Sequence, residues 1–225
     1  MLAWDIETTG FDPMVELVTV AAVYSEGHEH VYRFATNLRC IICDDPNCVT
    51  HPKKVVKCRD FAKQRDAFLQ ELDDAPILAA YNGISFDIPF IATAFRVQPE
   101  RVMRWVLKSL DVFETCKRAA GRTFGLNLLL DLNGFESKTG SGGDAVIQAR
   151  MGHWDKLGAY CLDDAKLTHK ISTQSRIALP EGYKWRQQHD QRSHDPDMIL
   201  FLVKGEGGDI RFEYGSLDKA DMVVD

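Results

Sequence analysis

Four acidic side chains sit inside otherwise apolar segments, and their spacing limits what they can do. Two lie in Trp4-Asp5-Ile6-Glu7-Thr8-Thr9-Gly10. Asp87 closes Tyr81-Asn82-Gly83-Ile84-Ser85-Phe86-Asp87, and Asp164 falls in Tyr160-Cys161-Leu162-Asp163-Asp164-Ala165. A carboxylate is costly to bury unless something cationic compensates it. Four that converge form a cage of hard oxygen ligands for two divalent metals, and paired metals suit phosphodiester hydrolysis. Asp5 and Glu7 are two apart on an extended segment, so both leave one face while Ile6 points into the core. Tyr160 precedes Asp164 by one helical turn and shares its face. Taken singly, Asp5 or Glu7 reads better as a solvated residue at a strand end; the weight rests on the set.

Such a set needs a rigid scaffold, and the flanking pattern supplies one. Residues 2–7, 16–24 and 29–34 read as strands, the second rich in Val and Thr, with hairpin-like spacing that makes the three antiparallel. Residues 59–72 place Phe61, Phe68, Leu69 and Leu72 at helical spacing. A short buried strand over 76–81 leads to a helix over 88–95, and Pro99 opens a further helical piece. Residues 109–113 read as another strand, and 126–132 and 154–175 as helices, separated by a glycine-rich loop at 138–143. Three antiparallel strands followed by alternating helix and strand describe an α/β domain built on a mixed sheet.

The chain has 225 residues, enough to bury a full core, with 45% hydrophobic and 27% charged residues, ordinary for a soluble globular protein. Its formal charge of -6 argues against a broad electrostatic clamp on nucleic acid. Bound metals would reverse that sign inside a cleft. No apolar run is long enough to span a membrane and no signal peptide precedes Met1-Leu2-Ala3-Trp4, so an intracellular location, in the cytoplasm or with the chromosome, is expected. An acid-bearing strand so near Met1 is equally compatible with a domain cut from a larger polymerase or helicase.

The three acidic segments together resemble the DEDD superfamily of 3′–5′ exonucleases, whose fold is RNase H-like. The first motif is Asp5-x-Glu7-Thr8-Thr9-Gly10, the second Asn82-x-x-x-Phe86-Asp87 and the third Tyr160-x-x-x-Asp164. Their order and separation match over residues 1–175, and three motifs in order carry far more than any one. Tyrosine four residues before the last aspartate, with Ala159 where the other subclass carries histidine, resembles the tyrosine subclass. The string Tyr160-Cys161-Leu162-Asp163-Asp164-Ala165-Lys166-Leu167-Thr168 is similar to the proofreading domains of family B DNA polymerases and their stand-alone relatives.

The resemblance implies a five-stranded mixed sheet flanked by helices, and two Mg²⁺ or Mn²⁺ ions held by Asp5, Glu7, Asp87 and Asp164. Terminal phosphodiesters of single-stranded DNA 3′ ends would be hydrolysed, with release of nucleoside 5′-monophosphates. Tyr160 would orient the attacking water, since a phenol of pKa ~10 is a poor outright base at neutral pH. Thr8 and Gly10 would let the backbone approach the terminal sugar. Asn82 would bond the last nucleotide, and Phe86 would stack on or wedge between bases. An exoribonuclease with the same chemistry, or a binding module that has kept the fold without catalysis, are the alternatives. A place in a larger replication or repair assembly fits the first.

A cysteine-rich insertion at 39–59 departs from the family pattern. Cys40, Cys43, Cys48 and Cys58 follow the spacing C-x2-C-x4-C-x9-C, which begins like a zinc knuckle. Four thiolates would close one structural Zn²⁺, with His51 able to replace either of the last two. A segment this short cannot build its own core, so a metal would supply its order. An adventitious cluster on a loop is the competing reading. Lys53, Lys54, Lys57 and Arg59 would give the insertion a basic flank. The expected organisation is thus an exonuclease domain over 1–178 containing this insertion, and a C-terminal extension over 179–225. Residues 198–203 and 209–214 of that extension form a candidate hairpin.

Overall fold

The computed structural model describes residues 1–45, 53–136, 142–179, 198–204 and 210–216. The amino-terminal half runs β1 (Leu2–Thr8), β2 (Val18–Ser25), β3 (His28–Arg33), β4 (Ala35–Cys40), β5 (Lys53–Lys57), α1 (Phe61–Asp74), β6 (Leu78–Ala80), α2 (Asp87–Phe95) and α3 (Pro99–Leu107). There follow β7 (Ser109–Asp111), α4 (Val112–Ala120), α5 (Leu126–Leu132), α6 (Gly142–Met151), α7 (Trp154–Ser172), β8 (Arg176–Ala178), β9 (Met198–Lys204) and β10 (Ile210–Ser216).

The main sheet has five strands in the order β3-β2-β1-β6-β7. β1 to β3 are antiparallel, whereas β1, β6 and β7 run parallel, so the sheet is mixed as the pattern predicts. Central β1 is covered on both faces, which is why Leu2-Ala3-Trp4 reads as a continuous apolar run rather than an alternation. Trp4 and Ile6 face one core, packed with Phe68 and Leu72 of α1, Ile91 of α2 and Trp105 of α3. Val20 and Ala22 of β2 face the other, with Ala145 and Ala149 of α6 and Leu157, Cys161 and Ala165 of α7. α7 lies close over the sheet because Gly158 has no side chain: a Cβ there would stand 3.1 Å from Val31 Cγ1.

One expected strand ends early. The residue types of 109–113 predict an extended segment, but β7 stops at Asp111, whose side chain accepts from the Glu114 N–H and caps α4. Val112 and Phe113 are strand formers by type; the Asp-x-x-Glu cap overrides them. β4, which begins ahead of the cysteine-rich insertion, pairs with β5 inside it as a two-stranded ribbon. Of the glycine-rich loop, Gly142 and Gly143 open α6, while 138–141 lie outside the described residues. β9 and β10 pair antiparallel, and β9 also pairs with β8, joining the carboxy-terminal strands to residues 176–178. No helix among the described residues is long and apolar enough to cross a membrane.

Candidate active site

β6 is short, and that makes the cleft. It pairs with β1 only at Leu2 and Ala3, so from Asp5 onward this edge of β1 has no neighbouring strand among the described residues. Ligands of open α/β sheets sit at such carboxyl ends, where the chain steps away from its neighbour. The step is the turn from Tyr81 to Phe86, which delivers Asp87 as the first residue of α2.

A cleft of about 430 Å³ opens there, lined by Asp5, Glu7, Asp87, Tyr160 and Asp164, five residues drawn from β1, α2 and α7. Ligand atoms of Asp5, Glu7 and Cys161 lie within 4.8 Å of one another. Glu7, Asp87 and Asp164 are buried and Asp5 partly so. Burial, then the neighbouring charges of Asp5 and Asp111, push the Asp87 carboxyl well above the usual carboxylate range. Main-chain N–H groups of Asp87 and Ile6 pull the other way. The Ile6 contact ties Asp87 to the edge of β1 that β6 leaves open. Cys161 responds to the same field: burial, then Asp5 and Glu7, raise its thiol well above the ordinary value. So many like charges under one roof suit a divalent cation with oxygen ligands, which would offset both the repulsion and the burial. Asp5, Glu7, Asp87 and Asp164 are the residues that would hold such ions.

The structure divides the expected substrate contacts. Thr8 and Phe86 line the cleft; Gly10 and Asn82 lie in the turns beside it. Gly10 is packed against Glu16, where a Cβ would come within 2.5 Å of Glu16 Oε1. That carboxylate accepts from the Thr9 hydroxyl, and the Thr9 hydroxyl oxygen accepts from the Leu17 N–H at 2.9 Å. Arg150 of α6 donates to the Thr9 carbonyl at 2.8 Å and to Glu16 at 3.4 Å. The first motif is therefore buttressed by an arginine 141 positions away. Asn82 takes a left-handed conformation at φ 70°, its N–H turned to Asp111.

A family model for the RNase H superfamily matches residues 2–174. The chain belongs to the RNase H superfamily. This superfamily member is similar in structure to the family B DNA polymerase from the hyperthermophilic archaeon Pyrobaculum calidifontis, with a TM-score of 0.51 and 20% sequence identity. The likeness covers 74% of this chain and 23% of the polymerase chain, and at that identity it speaks for the fold. No curated protein matches the chain in sequence.

Several cleft residues of this RNase H superfamily member escape the motif reading. Phe11, 68% exposed, stands at the mouth with its ring 6.3 Å from that of Phe86. Asn127 of α5 and Val146 of α6 line the far wall. A phenylalanine in the turn just after an acidic motif was the available signal for Phe11; Asn127 and Val146 gave none, because only the packing of α5 and α6 brings them in.

The insertion is arranged differently from the expected four-thiolate site. Cys40 pairs opposite Lys53 at one end of the ribbon, and Ala35 opposite Lys57 at the other. Cys58 follows that second end, where its N–H donates to the Phe34 carbonyl at 3.0 Å. Cys58 lies five residues along the chain from Lys53, the partner of Cys40, roughly 17 Å of extended strand. Thiolates sharing a zinc ion sit ~2.3 Å from it. Cys58 is therefore not brought to Cys40 and Cys43. It is buried, its thiol donates to the Arg33 carbonyl at 3.0 Å, and burial, then Asp60, raise its pKa. Cys43 is exposed; Cys48 and His51 lie outside the described residues. In the basic flank, Lys54 pairs with Asp44 at 3.3 Å and Lys57 lies over the Phe61 ring.

Proposed function

We propose that the chain is a metal-dependent 3′–5′ exonuclease of the tyrosine type, acting on single-stranded DNA ends. One observation carries the reading: Asp5, Glu7, Asp87, Tyr160 and Asp164, spread over 160 positions, line a single cleft. Two divalent ions bound to the four carboxylates would supply an activated water and a counter-charge for the departing 3′ oxygen. The protein's own part is placement. Asp5 and Glu7, fixed by pairing to Ala22 and Val20, present two carboxylates from one face of β1. Asp87 arrives from α2 and Asp164 from α7, so three elements would contribute ligands to the ions. The Tyr160 hydroxyl, one turn from Asp164, orients the attacking water without giving up its proton. Phe86 and Phe11 offer aromatic faces on which terminal bases stack regardless of sequence. The described residues that line the cleft include four acids and neither lysine nor arginine, which leaves little positive charge to grip a duplex. DNA is preferred as substrate on the third motif's likeness to polymerase proofreading domains and on the similarity to a family B DNA polymerase.

The test is one gel with 5′-labelled single-stranded DNA and RNA of the same sequence, with Mg²⁺ or Mn²⁺, for wild type and Asp5→Ala. A DNA ladder shortening from the 3′ end, seen in wild type alone, is expected. Preferential shortening of RNA would change the substrate class. Intact substrates with folded, metal-supplied wild type would replace the enzyme with a binding module.

A further inference from the structure

The turn that delivers Asp87 has an anchor outside the cleft. Main-chain N–H groups in a half-buried turn still need acceptors, and this turn has left its strand partners behind. Asn82 N–H donates to Asp111 Oδ1 at 3.0 Å, and Ile84 N–H donates to Asp111 Oδ2 at 2.8 Å. Oδ1 also accepts from the Glu114 N–H at 3.2 Å, so one carboxylate binds three main-chain donors on two segments. Asp111 is 3% exposed and pairs with Ala80, the last residue of β6, which puts it beside the point where the chain steps off the sheet.

The anchor holds a conformation that does not hold itself. Asn82 at φ 70° is in the left-handed region, which costs most L-residues roughly 1–2 kcal/mol and asparagine less, though still something. Such conformations persist where the surroundings determine them. From there the turn propagates through Phe86 N–H to the Asn82 carbonyl at 3.0 Å and Ile88 N–H to the Gly83 carbonyl at 2.8 Å. Those two bonds bracket Asp87. Gly83 completes the fit, since a Cβ there would overlap the Ala80 side chain.

We propose that Asp111 is a positioning residue for the candidate metal site, holding the 81–86 turn so that the Asp87 carboxylate meets Asp5 and Glu7. Asp111 does not line the cleft and touches no ligand itself. Its consequence for catalysis rests on the nuclease reading; its consequence for the turn does not.

Two variants separate positioning from mere capping. Asp111→Ser keeps a good N-cap for Glu114, but one hydroxyl cannot serve Asn82 and Ile84 together. Asp111→Asn replaces one accepting oxygen with an amide that can only donate. Mn²⁺ affinity is measured by calorimetry without substrate, kcat and KM on end-labelled DNA, and amide exchange at Asn82 and Ile84. Both variants are expected to weaken Mn²⁺ binding about 10–100-fold, as lost supporting partners of metal ligands do. The fall in kcat should be similar, with KM nearly unchanged and faster exchange at both amides. Asp73→Ala is the control: Asp73, on α1 and away from the cleft, accepts from Trp105 Nε1 and Arg101 of α3, and its loss should lower the melting temperature while keeping wild-type Mn²⁺ affinity. Wild-type Mn²⁺ affinity and kcat in both Asp111 variants would overturn the proposal. A wild type that binds no Mn²⁺ would instead remove the nuclease reading, and unchanged exchange at Asn82 and Ile84 would then overturn the anchor as well.

Discussion

The Cys161 thiol donates to the main-chain carbonyl of Asp5 at 3.3 Å, from a position one residue after Tyr160 and three before Asp164. Third motif and first motif are thereby docked at main-chain level, not only through their acids. α7 cannot slide along β1 without breaking that contact and moving Tyr160 and Asp164 together. The small size of cysteine lets helix and strand approach closely enough for the acids to share one space.

Asp5→Ala is expected to reduce kcat by roughly a thousandfold, the scale on which losing one preorganised electrostatic partner acts. The melting temperature should stay level or rise, because Asp5 is one of the charges that raise the Asp87 pKa. Thermal unfolding and gel kinetics on one preparation check both. Hydrolysis at the wild-type rate would remove Asp5 from the chemistry.

Tyr160→Phe should lower kcat about tenfold to a hundredfold and leave KM within a factor of about two, as expected for a group that helps place a proton but adds little to ground-state binding. Steady-state kinetics at several pH values distinguish this from a packing role. A change confined to KM would contradict water orientation.

Cys58→Ser should leave the zinc content of freshly purified protein as it is in wild type. The cost should fall on stability instead, since the thiol is buried against the Arg33 carbonyl. Elemental analysis beside a melting curve is sufficient. Loss of one zinc per chain would reinstate Cys58 as a ligand.

Acid should destabilise the fold through His169. The side chain is buried with its ring edge-on to Tyr24, 5.1 Å between centroids. Burial lowers its pKa, Glu26 acts in the opposite sense, and the amino terminus lowers it further. The unfolded chain therefore takes up a proton near the ordinary value of 6.5 before the folded one does. Stability is full above that pH and is lost as pH falls from there through the lowered folded value. His169→Phe should flatten the loss of melting temperature between about pH 7.5 and pH 5.5 by a few degrees. An identical slope in both proteins would dismiss His169 as the source.

Much of the fold was legible because the sheet repeats simple patterns. β1, β2, β3 and α2 lie within two residues of the segments that alternation and apolar spacing predict. α4 was missed where local composition and capping disagree: Val112 and Phe113 favour a strand, and only the Asp111–Glu114 cap reveals the helix. α6 was hidden by its opening glycines and by contacts made through Ala145 and Ala149, residues too small to give a strong period. The acids of the cleft could be named because short motifs carry their spacing. The zinc ligands could not be settled, since spacing along the chain does not report strand register, and register carries Cys58 to the far end of the ribbon from Cys40. Gly10 and Asn82 likewise have motif positions that predict contact, while their neighbours Glu16 and Asp111 give them structural duties.

The brevity of β6 sets a limit on how this fold can be strengthened. Its three residues secure only the first part of β1, and the next main-chain donor along that edge, at Ile6, is taken up by Asp87. Extending β6 by two residues would add ladder bonds and route backbone through the space where Asp87 now meets Asp5. A more complete sheet and an open cleft are alternatives here, so any stabilising redesign has to work from the β3 edge or the helical layers and leave the gap beside Asp5 unfilled.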